Sequence, residues 1–275
     1  WLLAVSLISG PSVIARADPA ILFGGVPVDL RLSEIDEKTV RVELHPLGKA
    51  GNSETAAPSW TLAVFPAKEK FRAHELVAER NLRIGELRVT IQPQPLTISV
   101  RRADGTLVQE VAFNPVAGSN AISFRTAAPV LGLGEGGDQF DRRGNNFPLI
   151  NGQRYKLAEL GARAFSPFLI GTEGWGMFTA APRGSFDLRG ERGALNPQNA
   201  TPGVADVFVI DAREPADALR EFIRLTGAPV MPPKWALGYM QSHRTLSTEA
   251  DILQEARTFR EKDLPCDTMI FLGTG

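Results

Sequence analysis

Four consecutive segments decide the fold: Pro232-Pro-Lys-Trp-Ala-Leu-Gly-Tyr239, Gln241-Ser-His-Arg244, Ser247-Thr-Glu-Ala-Asp251 and Leu264-Pro-Cys-Asp-Thr-Met-Ile-Phe-Leu272. Trp235 to Tyr239 is a short apolar run that reads as a strand, preceded by a stiff linker at Pro229, Pro232 and Pro233. Ser247 and Thr248 are N-cap residues with acids just behind them, so a helix opens there. Ile252, Ala256 and Phe259 fall on one face of it, and it ends near Lys262. Thr268 to Leu272 is a second buried strand. Strand, helix, strand implies a crossover between parallel strands.

Upstream the pattern changes. Pro215 to Thr226 is predicted to be helical, with Leu219, Phe222 and Ile223 on the covered face and Gly227 as its stop. From Val26 to Asp211 the chain reads as strand after strand. Segments 26–32, 39–45, 87–91, 96–100 and 106–111 alternate apolar and polar residues, the period of a half-buried strand. Ala103-Asp-Gly105 supplies a tight hairpin, and Gly171-Thr-Glu-Gly174 joins strands at 165–170 and 176–180. Segment 206–210 closes the series. The expected fold class is mainly β: an antiparallel β-sandwich over 18–230, then the first β-α-β of a truncated (β/α)8 barrel over 231–275. With 26 glycines and 20 prolines the chain is rich in turns, as many short strands require.

At the start, Trp1-Leu-Leu-Ala-Val-Ser-Leu-Ile-Ser9 is apolar but too short to span a bilayer, and Ala15-Arg-Ala17 is an A-x-A site. Residues 1–17 therefore read as the later half of a signal peptide, which predicts a secreted or periplasmic protein. No other stretch suits a membrane span. At the far end nothing follows to cover the last strand, so a chain cut at both ends is expected.

Thirty basic against 31 acidic side chains give a net charge of -1, which argues against general nucleic-acid binding. A single cysteine, Cys266, allows neither a disulfide nor a cysteine zinc site within one chain, and its apolar surroundings suit a buried thiol. His45, His74 and His243 lie far apart, so no metal site and no cofactor are expected. Gly132-Leu-Gly-Glu-Gly-Gly137 satisfies G-x-G-x-x-G, but no apolar helical face follows it, so a nucleotide site is not expected. Glu135, Asp138 and Asp141 beside Arg142 and Arg143 suggest first a salt-bridged loop holding its own shape, with a rim role beside a substrate and a general acid/base pair or calcium site as the alternatives. His243 and Arg244 follow the first parallel strand, and Gly273-Thr-Gly275 follows the second. In parallel barrels ligands bind at those C-terminal ends, where glycines also let backbone approach a ligand.

Pro232-Pro-Lys-Trp-Ala-Leu-Gly-Tyr239, Ser242-His-Arg244 and Leu264-Pro-Cys-Asp267 together resemble the start of the catalytic barrel of family-31 glycoside hydrolases. Gly132-Leu-Gly-Glu135 and Phe140-Asp-Arg-Arg143 resemble a loop of that family's N-terminal, galactose-mutarotase-like sandwich. The resemblance implies a retaining exo-α-glycosidase, α-glucosidase- or α-xylosidase-like, using one aspartate as nucleophile and another as acid/base. Those aspartates come from later barrel strands, so the resemblance gives this chain no catalytic residue and no activity alone. It implies substrate-binding roles for His243, Arg244, Leu272, Gly273 and Thr274, with a carbohydrate as the partner. Many glucose-specific members carry an aspartate where Leu272 stands, which leaves α-xylosides, α-galactosides or N-acetylated sugars open. Loop 145–153 is implied to shape the leaving-group side. The rival expectation is a stand-alone secreted carbohydrate-binding sandwich without catalysis; such faces need exposed aromatics, whereas Trp60, Trp175 and Trp235 are scattered and Trp235 belongs to the barrel entry. A third is a purely structural envelope protein.

Overall fold

The computed structural model describes residues 20–48, 61–136, 139–149, 162–180, 183–198 and 200–271. The leader reading of 1–17, Trp60 and Asp138 lie outside them. The chain divides into two units, Trp1–Gly227 and Ala228–Gly275.

In the first unit the elements follow in the order β1 (Leu22–Phe23), β2 (Val26–Glu34), β3 (Thr39–Pro46), β4 (Lys68–Ala73), β5 (Arg80–Ile84) and β6 (Leu87–Pro93). Next come β7 (Leu96–Arg101), β8 (Leu107–Phe113), β9 (Ile122–Arg125), β10 (Val130–Gly132), β11 (Glu135–Gly136) and β12 (Asn146–Pro148). The last are β13 (Ala162–Ala164), β14 (Phe168–Gly171), β15 (Trp175–Thr179), β16 (Gly184–Asp187), β17 (Arg192–Pro197), β18 (Ala205–Asp211) and α1 (Pro215–Thr226). One eight-stranded sheet has the order β1-β2-β3-β18-β15-β14-β10, with β4 also paired to β2. The other has the order β12-β16-β17-β9-β8-β7-β6-β5, and both are antiparallel throughout. The fold is mainly β, as the alternation predicts.

Alternation places the core. On β3, Val40, Val42 and Leu44 are fully buried while Arg41 and Glu43 point to the opposite face. Val207 and Val209 of β18 join them, and so do Ile98 and Val100 of β7 and Phe124 of β9, so one apolar cluster draws on both sheets. Each such side chain taken from water contributes roughly 1.5–3 kcal/mol. The hairpin at Ala103–Gly105 forms as read: Gly105 takes φ 90° and Asp104 accepts the Thr106 amide at 2.8 Å. Arg102, beside that hairpin, donates to Asp211 of β18 at 2.8 Å and to the Gly174 carbonyl at 2.6 Å.

The first sheet carries a second apolar cluster on its other face, made by Phe168, Phe178, Phe208 and Ile210 with Ala218 and Leu225 of α1. Phe222 stacks on Phe168 at 4.5 Å. The covered stripe of α1 is therefore 218, 222 and 225, a correction to the predicted face. Leu219 and Ile223 stay 48% and 39% exposed. The helix approaches the sheet closely at Ala218, whose methyl would lie in van der Waals contact, 3.5 Å, from a Cβ built on Gly176 of β15. A second correction concerns residues 165–170, where the strand begins only at Phe168 because Pro167 has no N–H to give a ladder.

The second unit contains a 3-10 turn at Lys234–Leu237, β19 (Met240–His243), α2 (Glu249–Glu261) and β20 (Thr268–Phe271). β19 and β20 pair in parallel, with Met240 opposite Thr268 and His243 opposite Phe271. The expected strand at 235–239 is wrong in position. Ala236 N–H donates to the Pro233 carbonyl at 2.9 Å and Gly238 N–H to that of Trp235 at 3.3 Å, so the run after the prolines coils before it extends. The helix begins where its cap predicts. Thr248 Oγ1 accepts the Asp251 amide at 3.2 Å and Asp251 accepts the Thr248 amide at 3.1 Å, a reciprocal capping box. Among the described residues of this unit none is buried, and Cys266 is half-buried rather than enclosed, its Sγ 3.4 Å from the Thr268 carbonyl.

Candidate functional site

Of the residues the sequence singled out at the C-terminal edge of the parallel pair, His243 and Arg244 are described. His243 is the last residue of β19 and Arg244 the first beyond it, so Gln241 to His243 belong to the strand and not to the loop after it. The Thr245 amide donates to His243 Nδ1 at 3.3 Å. That contact makes Nδ1 an acceptor and leaves the ring proton on Nε2, available as a donor. Arg244 is exposed. Leu272, Gly273 and Thr274, expected at the matching end of β20, lie outside the described residues.

The opposite edge is packed by backbone. Asp267 N–H donates to the Tyr239 carbonyl at 2.9 Å. A Cβ on Gly238 would come 1.8 Å from an Asp267 oxygen, so a larger residue here would displace this carboxylate from its place across the turn. Asp267 thus stands at the N-terminal end of β20, away from the edge where parallel barrels hold ligands. The other described acids of this unit lie on or beside α2: Glu249, Asp251, Glu255, Glu261 and Asp263. Retaining glycoside hydrolysis needs two carboxyl groups about 5–5.5 Å apart across the scissile bond. The described residues offer no such pair at this edge. Among them no cluster of three histidines, cysteines or acids could hold a metal.

In the first unit the glycine-rich loop is a self-contained structure. Gly132, Leu133 and Gly134 take φ of 108°, 66° and 76°, three successive left-handed residues that no helix follows. Arg142 Nε donates to the Gly132 carbonyl at 3.0 Å, and its guanidinium lies 5.5 Å over the Phe147 ring. Asp141 takes Arg143 at 2.8 Å and the Val130 amide at 3.0 Å. These hydrogen bonds, those of Arg143 first, hold the Asp141 carboxyl down at about 2, the reverse of what a general acid needs. An open groove of about 680 Å³ lies alongside, lined in part by Arg125, Arg143, Arg189 and Glu191. Arg143 is committed to Asp141 and Arg189 to Asp187, so the groove presents little net charge to an anion. Trp175 is buried and stacks edge-on against Phe124, which removes it as a sugar platform.

Residues 229–271 match the family described as "Glycosyl hydrolases family 31 TIM-barrel domain". The chain is 25% identical over 263 residues to α-glucosidase 2 of Bacillus thermoamyloliquefaciens, covering 85% of this chain and 31% of the relative. It is 30% identical over 105 residues to an α-xylosidase of Saccharolobus solfataricus, covering 38% of this chain and 14% of the relative. Among solved structures, a family 31 dextranase of Flavobacterium johnsoniae complexed with isomaltotriose superposes with a TM-score of 0.71 at 21% identity, over 88% of this chain and 31% of that one. The class these matches point to is that of the glycoside hydrolases: residues 229–271 resemble the family 31 barrel domain, and the chain spans about a third or less of the length of these relatives.

Proposed function

We propose that this chain supplies the antiparallel sandwich and the first β-α-β of a (β/α)8 barrel in an exported, retaining exo-α-glycosidase. The observation that carries the reading is the parallel β19–β20 pair, which bears His243 and Arg244 at its C-terminal edge inside the segment that matches the family 31 barrel. At that edge the His243 Nε2–H and the Arg244 guanidinium act as donors to sugar hydroxyls, and Leu272, Gly273 and Thr274 are assigned as further substrate contacts from the sequence. Leu272 gives an apolar contact in place of a carboxylate, which favours a sugar with one fewer polar substituent, such as an α-xyloside, over an α-glucoside. The nucleophile and the acid/base are contributed by polypeptide beyond this sequence, consistent with the 31% of α-glucosidase 2 that it covers. The segment Trp1 to Ala17 supports export.

The test is hydrolysis of aryl α-xylosides, α-glucosides and α-galactosides by the product of the complete gene, followed by proton NMR. The α-anomer should appear first. First appearance of the β-anomer would overturn retention, and failure on all three classes would overturn the glycosidase reading.

A further inference from the structure

Helix α1 is fastened to the rest of the first unit at one polar cluster. Asp36, in the turn between β2 and β3, and Glu221, on α1, converge on a single guanidinium: Arg224 donates to Asp36 and stands 3.7 Å from Glu221. Thr39 Oγ1 donates to Glu221 at 3.3 Å, and the Lys38 amide donates to Asp36 at 2.8 Å. The carboxyl side chains are only 18% and 12% exposed, whereas Arg224 is half exposed. Two buried carboxylates facing one exposed cation leave a negative charge uncompensated, and one proton removes it.

We propose that the Asp36–Glu221 pair is a proton-operated clasp: with one proton held between the carboxyls α1 stays seated on the first sheet, and loss of that proton loosens it. The remaining charged groups around the cluster do not cancel the excess. On α1, Asp217 is bound to Arg220. In the turn, Glu37 and Lys38 are exposed, and Lys38 lies within Coulombic reach of Asp217. On β18, the Asp211 carboxylate is taken by Arg102. On β2, Glu34 is bound to Lys70. From the other sheet, Glu86 meets the turn through its amide, which donates to the Glu37 carbonyl. Burial, then the neighbouring Asp36, pushes Glu221 up to about 7, whereas Asp36, despite its burial, is held below its usual value by hydrogen bonding with Glu221 and the Lys38 amide and by the Arg224 charge. The clasp therefore opens as pH rises through neutrality. It acts on the element that runs, at Gly227, directly into the second unit.

Amide hydrogen exchange on the whole chain tests this, with intrinsic rates corrected, at pH 5.5 and 8.5. Protection across 218–226 should fall about tenfold or more on going to the higher pH, relative to β7 and β8. Glu221→Gln, which carries its hydrogen permanently, should abolish the fall. Asp36→Asn, which removes the opposing charge, should do the same and serves if the first variant does not fold. Wild-type protection of α1 that moves in step with β7 and β8, or a fall retained in either folded variant, would overturn the proposal.

Discussion

Arg102 joins the two sheets at one point. Its guanidinium reaches from the β7–β8 hairpin to the Asp211 carboxylate and the Gly174 carbonyl, and both charged side chains are about nine-tenths buried, at 9% and 12% exposure. Removing one member of such a pair strands the other without water or partner. Arg102→Met should lower the unfolding free energy by about 3 kcal/mol, measured by urea titration at pH 7. A loss below about 1 kcal/mol would mean that water reaches Asp211. Two other carboxylates dominate the acid side. Arg143 and Arg189 hold Asp141 and Asp187 at about 2, below their unfolded values. Stability from these pairs is complete above about pH 4 and is lost as pH falls toward 2. Asp141→Asn should flatten that acid limb in part, read from denaturation midpoints between pH 2 and 5.

For the elements, α1 gives the sharpest expectation. Ala218 lies over Gly176, where a Cβ built on the glycine would meet the Ala218 methyl at 3.5 Å and Ile210 at 3.3 Å. Ala218→Leu should cost about 2 kcal/mol by overpacking and lift the helix, seen as lost protection of its amides. The sequence placed this helix and its Phe222 contact correctly but set Leu219 and Ile223 on the covered face in place of Ala218 and Leu225, because they are larger and more apolar than Ala218. Nothing local reveals that the helix approaches β15 closely at Ala218. The long alternating strands were legible in Val26–Glu34 and Thr39–Pro46, where every second side chain is apolar. Short strands such as Arg80–Ile84 and Arg192–Pro197 were not, since their neighbours across the sheet, and not their own pattern, make them strands. At the candidate site, Thr248 and Asp251 announced the start of α2. The apolar run from Trp235 concealed a 3-10 turn imposed by the prolines before it, so His243 lies at a strand end and not in a loop. The Asp36–Glu221 cluster left no trace, because its members are far apart in the chain and each looks like an ordinary surface acid.

For the whole molecule, two opposed titrations shape stability. The depressed aspartates favour the fold above about pH 4, whereas the raised Glu221 makes the folded state hold a proton that the unfolded chain has released, so stability declines as pH climbs from about 4.3 through 7. A maximum between these limits is expected from denaturation at a series of pH values, and Glu221→Gln should remove the alkaline decline. Val230 and Met231, at the start of the second unit, are 91% and 81% exposed. Limited proteolysis with chymotrypsin or thermolysin should cut there first and leave a resistant piece ending near Gly227. First cleavage within β6 to β8 would contradict it.

The first sheet carries an apolar cluster on its outer face as well, and α1 covers part of it, beside Leu62 and Phe65. A product ending before Pro215 would keep its shared core and yet uncover the part of this cluster on which α1 sits, Phe168 and Phe178 first, as a sticky aromatic patch. Such a shortened protein would remain folded while clumping with its own copies. Light scattering would register this, and the solubility of any trimmed version is governed by whether those twelve helical residues are kept.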